Sequence, residues 1–192
     1  MKKYSFEELQ PYFVGKGTER LCFRDPNNPA SVIKLSPQNS SKQTLREIKY
    51  YRFLQDKNIP FLYLPEFKGE VSVPGYIGFE QEAIFDDNGE ISKPMQAYRG
   101  LELEDNLKRN IWLLFANLFY YMHYYNILPC DLSLNNIVLN WKGKLPRLIL
   151  IDGIGNANFL TISQYCKPLG QLQIKRKWER FSKRDLEPWL KL

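Results

Sequence analysis

Leu128-Pro129-Cys130-Asp131-Leu132-Ser133-Leu134-Asn135-Asn136-Ile137-Val138 is followed, with Asp152 twenty-one residues after Asp131, by Leu150-Ile151-Asp152-Gly153. Ile137-Val138-Leu139 and Leu148-Ile149-Leu150-Ile151 read as two short buried strands, joined by a turn at Lys142-Gly143-Lys144. Such a hairpin carries Asn136 just before its first strand and Asp152 just after its second, so both polar residues come to one end. Asp and Asn recur in loops because they cap backbone groups and tolerate turns, so any one of them alone says little. The ordered set acid, amide, acid says more, because it suits metal-dependent phosphoryl transfer. One carboxylate must orient a hydroxyl and accept its proton, while an amide oxygen and a second carboxylate hold magnesium against nucleotide phosphates. Asp131, Asn136 and Asp152 are the candidates for those three roles.

The upstream half supplies a complement. Val14-Gly15-Lys16-Gly17-Thr18-Glu19-Arg20-Leu21-Cys22-Phe23 is a glycine-bearing turn between apolar runs. Gly15, Lys16 and Gly17 are its candidates for covering phosphate oxygens with backbone N–H groups. Val32-Ile33-Lys34-Leu35 sets a lysine inside an apolar strand, where an ammonium is costly unless it meets a carboxylate or a phosphate. The segment from Lys42 to Gln55 has helical spacing and contains one acid, Glu47, the expected partner of Lys34. Strands around Phe13, Leu21 to Phe23, Val32 to Leu35, Phe67 to Val71 and Tyr76 to Phe79, with that helix between the third and fourth, predict a small antiparallel lobe. Glu80-Gln81-Glu82-Ala83 is expected as a crossing strand, and Cys22 and Val32 as strand residues of the lobe. Asp86-Asp87-Asn88-Gly89 marks a turn just beyond.

In order and spacing these residues resemble the protein-kinase-like superfamily. The resemblance rests on Gly15 and Gly17, Lys34, Glu47, Asp131 with Asn136 five positions later, and Asp152-Gly153. Met122-His123 stands where kinases often end the preceding helix in a Leu-His pair, eight residues ahead of the catalytic aspartate. Within that superfamily, the short length and the loop Leu-x-x-Asp-Leu-Ser-x-x-Asn look most like the small bacterial YrbL family of the PhoP regulatory network. The resemblance implies an α+β chain with a minimal protein-kinase-like bilobal fold: an N-lobe over residues 1–82 and a truncated, mainly helical C-lobe over 83–192. It also implies ATP and Mg2+ as cofactors, with Lys34 and Glu47 paired to grip the α- and β-phosphates, backbone groups at Glu80 and Glu82 facing the adenine edge, Cys22 and Val32 as the apolar roof above it, Asp131 as catalytic base, and Asn136 and Asp152 on the metal.

Departures from the kinase pattern limit what carries over. Arg20 replaces the third loop glycine, Pro129-Cys130 the His-Arg pair before the catalytic aspartate, and Ser133 the lysine two positions after it. Asp152-Gly153-Ile154 lacks the phenylalanine of Asp-Phe-Gly, and no Ala-Pro-Glu follows. The loss of arginine at position 130 argues against a switch read from a phosphorylated activation segment. The acceptor is then a small hydroxyl compound, such as a sugar or a lipopolysaccharide-core group, or else a protein. The competing readings are a pseudokinase that binds nucleotide as a regulatory module, and a basic adaptor.

The chain has 192 residues, with 27 Lys and Arg against 21 Asp and Glu, a net charge of +6. It is long enough for a two-lobed core, has no apolar run of membrane-spanning length and no export signal, and is expected to be soluble and cytoplasmic. Three cysteines, at 22, 130 and 166, fit a reducing compartment better than a disulfide framework. From Ser163 to the end there are eight Lys or Arg (167, 175, 176, 177, 180, 183, 184, 191) against three acids, which leaves five of the six net charges there. Leu172, Ile174, Trp178, Phe181, Leu186, Trp189 and Leu190 predict one or two amphipathic helices with their cations outward. That face is either solvated or drawn to an anionic surface such as a lipid headgroup; no nucleic-acid motif accompanies it. His123 reads as a structural anchor for the catalytic loop, and Phe119, Tyr120, Tyr121, Tyr124 and Tyr125 read as core.

Overall fold

Cys22, Val32 and Lys34 alternate with Phe23, Ile33 and Leu35 on two neighbouring strands, and a period of two sends the sets to opposite faces of a sheet. The computed structural model, which describes residues 1–17, 20–102, 104–155 and 162–190, contains that sheet. Thr18 and Glu19 of the glycine turn, and Lys191 of the basic tail, lie outside the described residues. The chain divides into two compact units, residues 1–61 with 65–84, and residues 62–64 with 85–192.

The first unit runs β1 (Lys2–Lys3), α1 (Phe6–Leu9), β2 (Phe13–Lys16), β3 (Leu21–Asp25), β4 (Asn28–Pro37), α2 (Lys42–Asp56), β5 (Phe67–Val73) and β6 (Tyr76–Glu82). Its six strands lie in the order β1-β5-β6-β4-β3-β2. All pairings are antiparallel except the short β1, which runs parallel to β5. Ser5 starts α1 through a capping box with Glu8, which satisfies two backbone donors at once. One sheet face buries Phe23, Ile33, Leu35, Val71 and Val73 with Tyr4 and Leu9. The other lies under α2, whose buried residues Thr44, Glu47, Ile48, Tyr51 and Leu54 recur at three- and four-residue spacing. Tyr51 packs its ring 5.2 Å from Phe67 and 5.9 Å from Phe79. The five expected strands are present with α2 between the third and fourth, and β1 and α1 are added ahead of them. The expected crossing strand is not a separate element. Glu80 to Glu82 continue β6 without a breaker, so Tyr76 to Glu82 form one strand between β4 and β5.

The second unit contains α3 (Asp105–Tyr125), the hairpin β7 (Ile137–Asn140) and β8 (Arg147–Leu150), then α4 (Ile162–Tyr165), α5 (Lys167–Phe181), one π-helical turn over Ser182–Leu186, and α6 (Glu187–Leu190). Ile111, Phe115, Leu118, Tyr121 and Met122 are the buried stripe of α3. The expectation that its tyrosines are all core is corrected: Tyr120 and Tyr124 are 67% and 52% exposed, and stack on each other at the surface. Asn126 ends α3 in the left-handed conformation, and its Nδ2 donates to the carbonyls of Ser163 and Gln164. Against that cap sits Gly170, where a Cβ would come within 1.9 Å of Asn126 Oδ1. Glycine at this point lets α5 approach α3, and Trp178 and Phe181 then pack on Phe115. Ile174, Phe181, Leu186, Trp189 and Leu190 are buried as expected, whereas Leu172 is exposed. Among the described residues no helix is long and apolar enough to cross a membrane.

Candidate functional site

The β7–β8 hairpin pairs Ile137 with Leu150 and Leu139 with Leu148, all buried. Its open end is closed by the Ile151 N–H donating to the Asn136 carbonyl at 2.8 Å. The loop ahead of β7 then folds onto the residues after β8. Cys130 and Asp131 both donate their N–H groups to the Gly153 carbonyl, at 2.6 and 3.0 Å, and Gly155 donates to Leu128. Gly153 has φ of +76°, and a Cβ there would stand 2.3 Å from the Asp131 carbonyl oxygen and 3.1 Å from Asn136 Nδ2. A residue with a side chain fits neither the dihedral nor the gap.

The side chains converge on the same point. Asn136 Nδ2 donates to the Asp131 carbonyl at 3.2 Å and to Asp131 Oδ2 at 3.1 Å. With both amide hydrogens directed to Asp131, the Asn136 oxygen is the atom left to accept a cation. Asp131 is exposed, Asn136 and Asp152 are half-buried, and Gly153 is buried. One Asp152 oxygen takes the Gly153 N–H at 2.5 Å, which fixes that carboxylate against its own backbone. An amide oxygen and a carboxylate are a hard, oxygen-only donor set, suited to Mg2+ and too small to hold it without phosphate and water. Among the described residues no group of three His, Cys, Asp or Glu could hold a metal ion.

In the first unit, registry sets Gly15 beside Cys22, Cys22 beside Lys34 and Lys34 beside Phe79, with Val32 two residues along from Lys34. Directly opposed residues of an antiparallel pair share a face, so Gly15, Cys22, Lys34 and Val32 lie together. Lys34 is buried, with its ammonium 5.8 Å from the Phe79 ring centroid. A Cβ at Gly15 would meet nothing within 4 Å, so that stretch of β2 is open to a ligand. Lys16 pairs with Leu21, and the Gly17 N–H closes the turn on the Arg20 carbonyl at 2.8 Å.

Glu47 has a partner that the sequence reading did not name. Its Oε2 meets the Arg20 guanidinium in a buried salt bridge. Arg20, read from sequence only as a lost glycine, has the reach and the forked donors to cross from the start of β3 to α2. The Glu80 and Glu82 side chains lie on the sheet face opposite Lys34. Glu80 opposes Ile33, on the other face, and its carboxylate is bound by Lys2 at 2.8 Å. The Glu82 N–H donates to the Glu66 carbonyl at 2.8 Å.

That other face carries a polar cluster that the sequence reading missed. Lys2 bridges Glu80 and Asp25, and the Tyr4 hydroxyl donates to Asp25 at 2.9 Å. The two carboxylates hold the Lys2 ammonium well above the usual lysine value, against the effect of burial. Burial alone would raise Asp25, but the Asn27 N–H, Lys2 and Tyr4 together hold it below the ordinary aspartate range. Four residues dispersed from position 2 to position 80 give no spacing signal of this kind.

Two further contacts were also missed. Lys177 Nζ donates to the Cys130 carbonyl at 2.7 Å, and Arg184 Nη2 donates to the Leu132 carbonyl at 2.6 Å. These cations of the basic tail point at the loop, not outward as expected. His123, in turn, rests its ring on Phe119, while its backbone carbonyl accepts from Gln171.

Comparison with known proteins places the chain in a family. The family model for PhoP regulatory network protein YrbL matches residues 9–186. Protein YrbL of Escherichia coli (strain K12) is 22% identical over 173 residues, covering 88% of this chain and 82% of the relative. YrbL of Shigella flexneri matches to the same extent. Among solved structures, a double mutant of the Mycobacterium tuberculosis PknI kinase domain is similar with a TM-score of 0.49 and 15% identity, covering 73% of this chain and 56% of that one. The chain belongs to the PhoP regulatory network protein YrbL family.

Proposed function

We propose that this YrbL-family chain is an ATP- and Mg2+-dependent phosphotransferase that acts on a hydroxyl group. The observation that carries the reading is the convergence of Asp131, Asn136 and Asp152 around Gly153, with Asn136 Nδ2 on Asp131 and its oxygen directed elsewhere. Mg2+, when bound with ATP, would offset phosphate charge and orient the γ-phosphoryl group. The chain's own part is positioning. Asp131 accepts the proton of the acceptor hydroxyl as its oxygen bonds to the γ-phosphorus, the bond from that phosphorus to the β,γ-bridging oxygen breaks, and ADP leaves with the electron pair. Asn136 and Asp152 supply oxygens to the metal. Lys34 grips the α- and β-phosphates, with Gly15, Lys16 and Gly17 above them and Cys22 and Val32 against the base.

A sugar or lipopolysaccharide-core hydroxyl, or a protein side chain, is the acceptor class, and the outward cations of α5 suit an anionic surface at its side. Cys22, Cys130 and Cys166 are joined in no disulfide, which supports a reducing, cytoplasmic setting. The second reading, a nucleotide-binding pseudokinase, is favoured by the departures from the kinase pattern at Arg20, Pro129, Cys130, Ser133 and Ile154.

A thermal-shift titration of ATP with and without Mg2+ tests the site, because a ligand that binds only the folded state raises its stability by mass action. Wild type should shift only with metal present, by the equivalent of about 2.7 kcal/mol at a hundred times Kd, and Asp152→Asn should lose the shift. Asp131→Asn should keep the shift and lose turnover. Full turnover in the Asp131 variant overturns the mechanism, and binding without turnover in wild type favours the pseudokinase.

A further inference from the structure

Asp131 is exposed, so packing does not set the direction of its side chain. Its orientation must come from Asn136 and from the backbone of the two residues that flank it. On the N-terminal side the Cys130 N–H is held by Gly153 and the Cys130 carbonyl by Lys177. On the C-terminal side the Leu132 carbonyl is held by Arg184. Both cations come from about fifty residues downstream, and neither belongs to the motif that defines the site.

Their placement follows from α5 and the turn after it. Gly170, Ile174, Lys177 and Phe181 fall at intervals of four, three and four, which puts them on one helix face. Gly170 brings that face onto the Asn126 cap, while Ile174 and Phe181 are fully buried. Lys177 is therefore held on the inward stripe, half-buried, and reaches Cys130. Arg184 lies in the π-helical turn, where Asp185 binds its Nε at 2.8 Å and its Nη2 at 2.6 Å. Asp185 is itself buried and is met by Arg99 at 3.5 Å. An arginine braced this way presents a fixed donor to Leu132. Water could satisfy either carbonyl, but it would supply no direction.

We propose that Lys177 and Arg184 form a cationic clamp on the carbonyls of Cys130 and Leu132, the residues either side of Asp131, and that they are positioning residues for that carboxylate. The C-terminal helices thus do what a charged surface alone would not: they hold the catalytic loop. The clamp's kinetic consequence rests on the phosphotransfer reading; its structural consequence does not.

The test uses the full chain with Lys177→Met and Arg184→Met, which keep the aliphatic stems and remove the donors, and with Lys177→Arg, which keeps one. Hydrogen exchange is measured amide by amide without nucleotide, and phosphotransfer is measured over a range of ATP concentrations. Loss of the clamp should speed exchange at Cys130 and Asp131 by about tenfold, with β7, β8 and α3 unchanged. It should lower kcat by about tenfold or more at unchanged KM for ATP, since small misplacements of a reacting group are costly. Lys177→Arg should restore both. Unchanged exchange at Cys130 and Asp131 overturns the clamp. So does faster exchange spread through α3 and the hairpin with a fallen melting temperature, which would make the cations pillars of the fold. If wild type shows no turnover, the phosphotransfer reading fails on its own assay, and the exchange rates still decide the clamp.

Discussion

Replacing Gly153 by alanine puts two separable costs on one atom. The first is conformational: φ of +76° is a left-handed backbone that L-residues adopt at about 1–2 kcal/mol. The second is steric, because the new Cβ would lie 2.3 Å from the Asp131 carbonyl oxygen, and backbone atoms cannot swing aside as a side chain would. Overpacking of this kind costs about 1–3 kcal/mol, so Gly153→Ala should destabilise the second unit by about 2–5 kcal/mol. Gly143→Ala is the control. Its φ of +88° carries the same kind of backbone cost, but a Cβ there meets nothing within 4 Å, so about 1–2 kcal/mol is expected. The difference between the two variants isolates the close approach at Asp131. Urea unfolding followed by tryptophan fluorescence reads the right unit, since Trp112, Trp141, Trp178 and Trp189 all fall within it. Equal losses in both variants would refute the argument that Gly153 is there for contact with the catalytic loop.

Two other perturbations address the first unit. Arg20→Met leaves the Glu47 carboxylate buried without its guanidinium, and should cost about 3–5 kcal/mol, the range for one-sided removal from a buried ion pair. Adding Glu47→Gln to it should recover part of the loss in unfolding followed by circular dichroism; a double variant less stable than Arg20→Met alone counts against the pairing. For Asp25 the sign follows from its depressed folded value: its stabilising effect is present above the ordinary aspartate value, about 3.9, and is lost as pH falls through the folded value. The stability gap between wild type and Asp25→Asn should therefore be widest near neutrality and narrow below about pH 4, and a gap constant from pH 7 to pH 3 would show that the carboxylate charge is not what matters.

What the sequence disclosed, and what it hid, divides along the range of the interaction. The hairpin and its polar residues were legible because Ile137 to Leu139 and Leu148 to Ile151 are contiguous apolar runs, and because Asn136 and Asp152 are fixed to their ends by chain geometry alone. The five main strands and α2 were legible for the same reason, through periods of two and of three to four. Lys34 and Glu47 were each found, but the Arg20 contact to Glu47 was not. An ion pair depends on which long side chain reaches across, and Arg20 looked like a missing glycine because it was judged against a motif and not against its neighbours in space. Lys177 and Arg184 were hidden by the same habit. In a run of eight cations every charge reads as solvent-facing, yet Lys177 occupies the phase of Gly170, Ile174 and Phe181. That phase was visible: seven residues after a glycine on the buried stripe, a lysine cannot point at water along the full length of its side chain without leaving the helix face it belongs to. A cation found on the apolar phase of an amphipathic helix therefore asks for a backbone acceptor or an acid beneath it, and here the acceptor is the Cys130 carbonyl, next to Asp131, the proposed catalytic base.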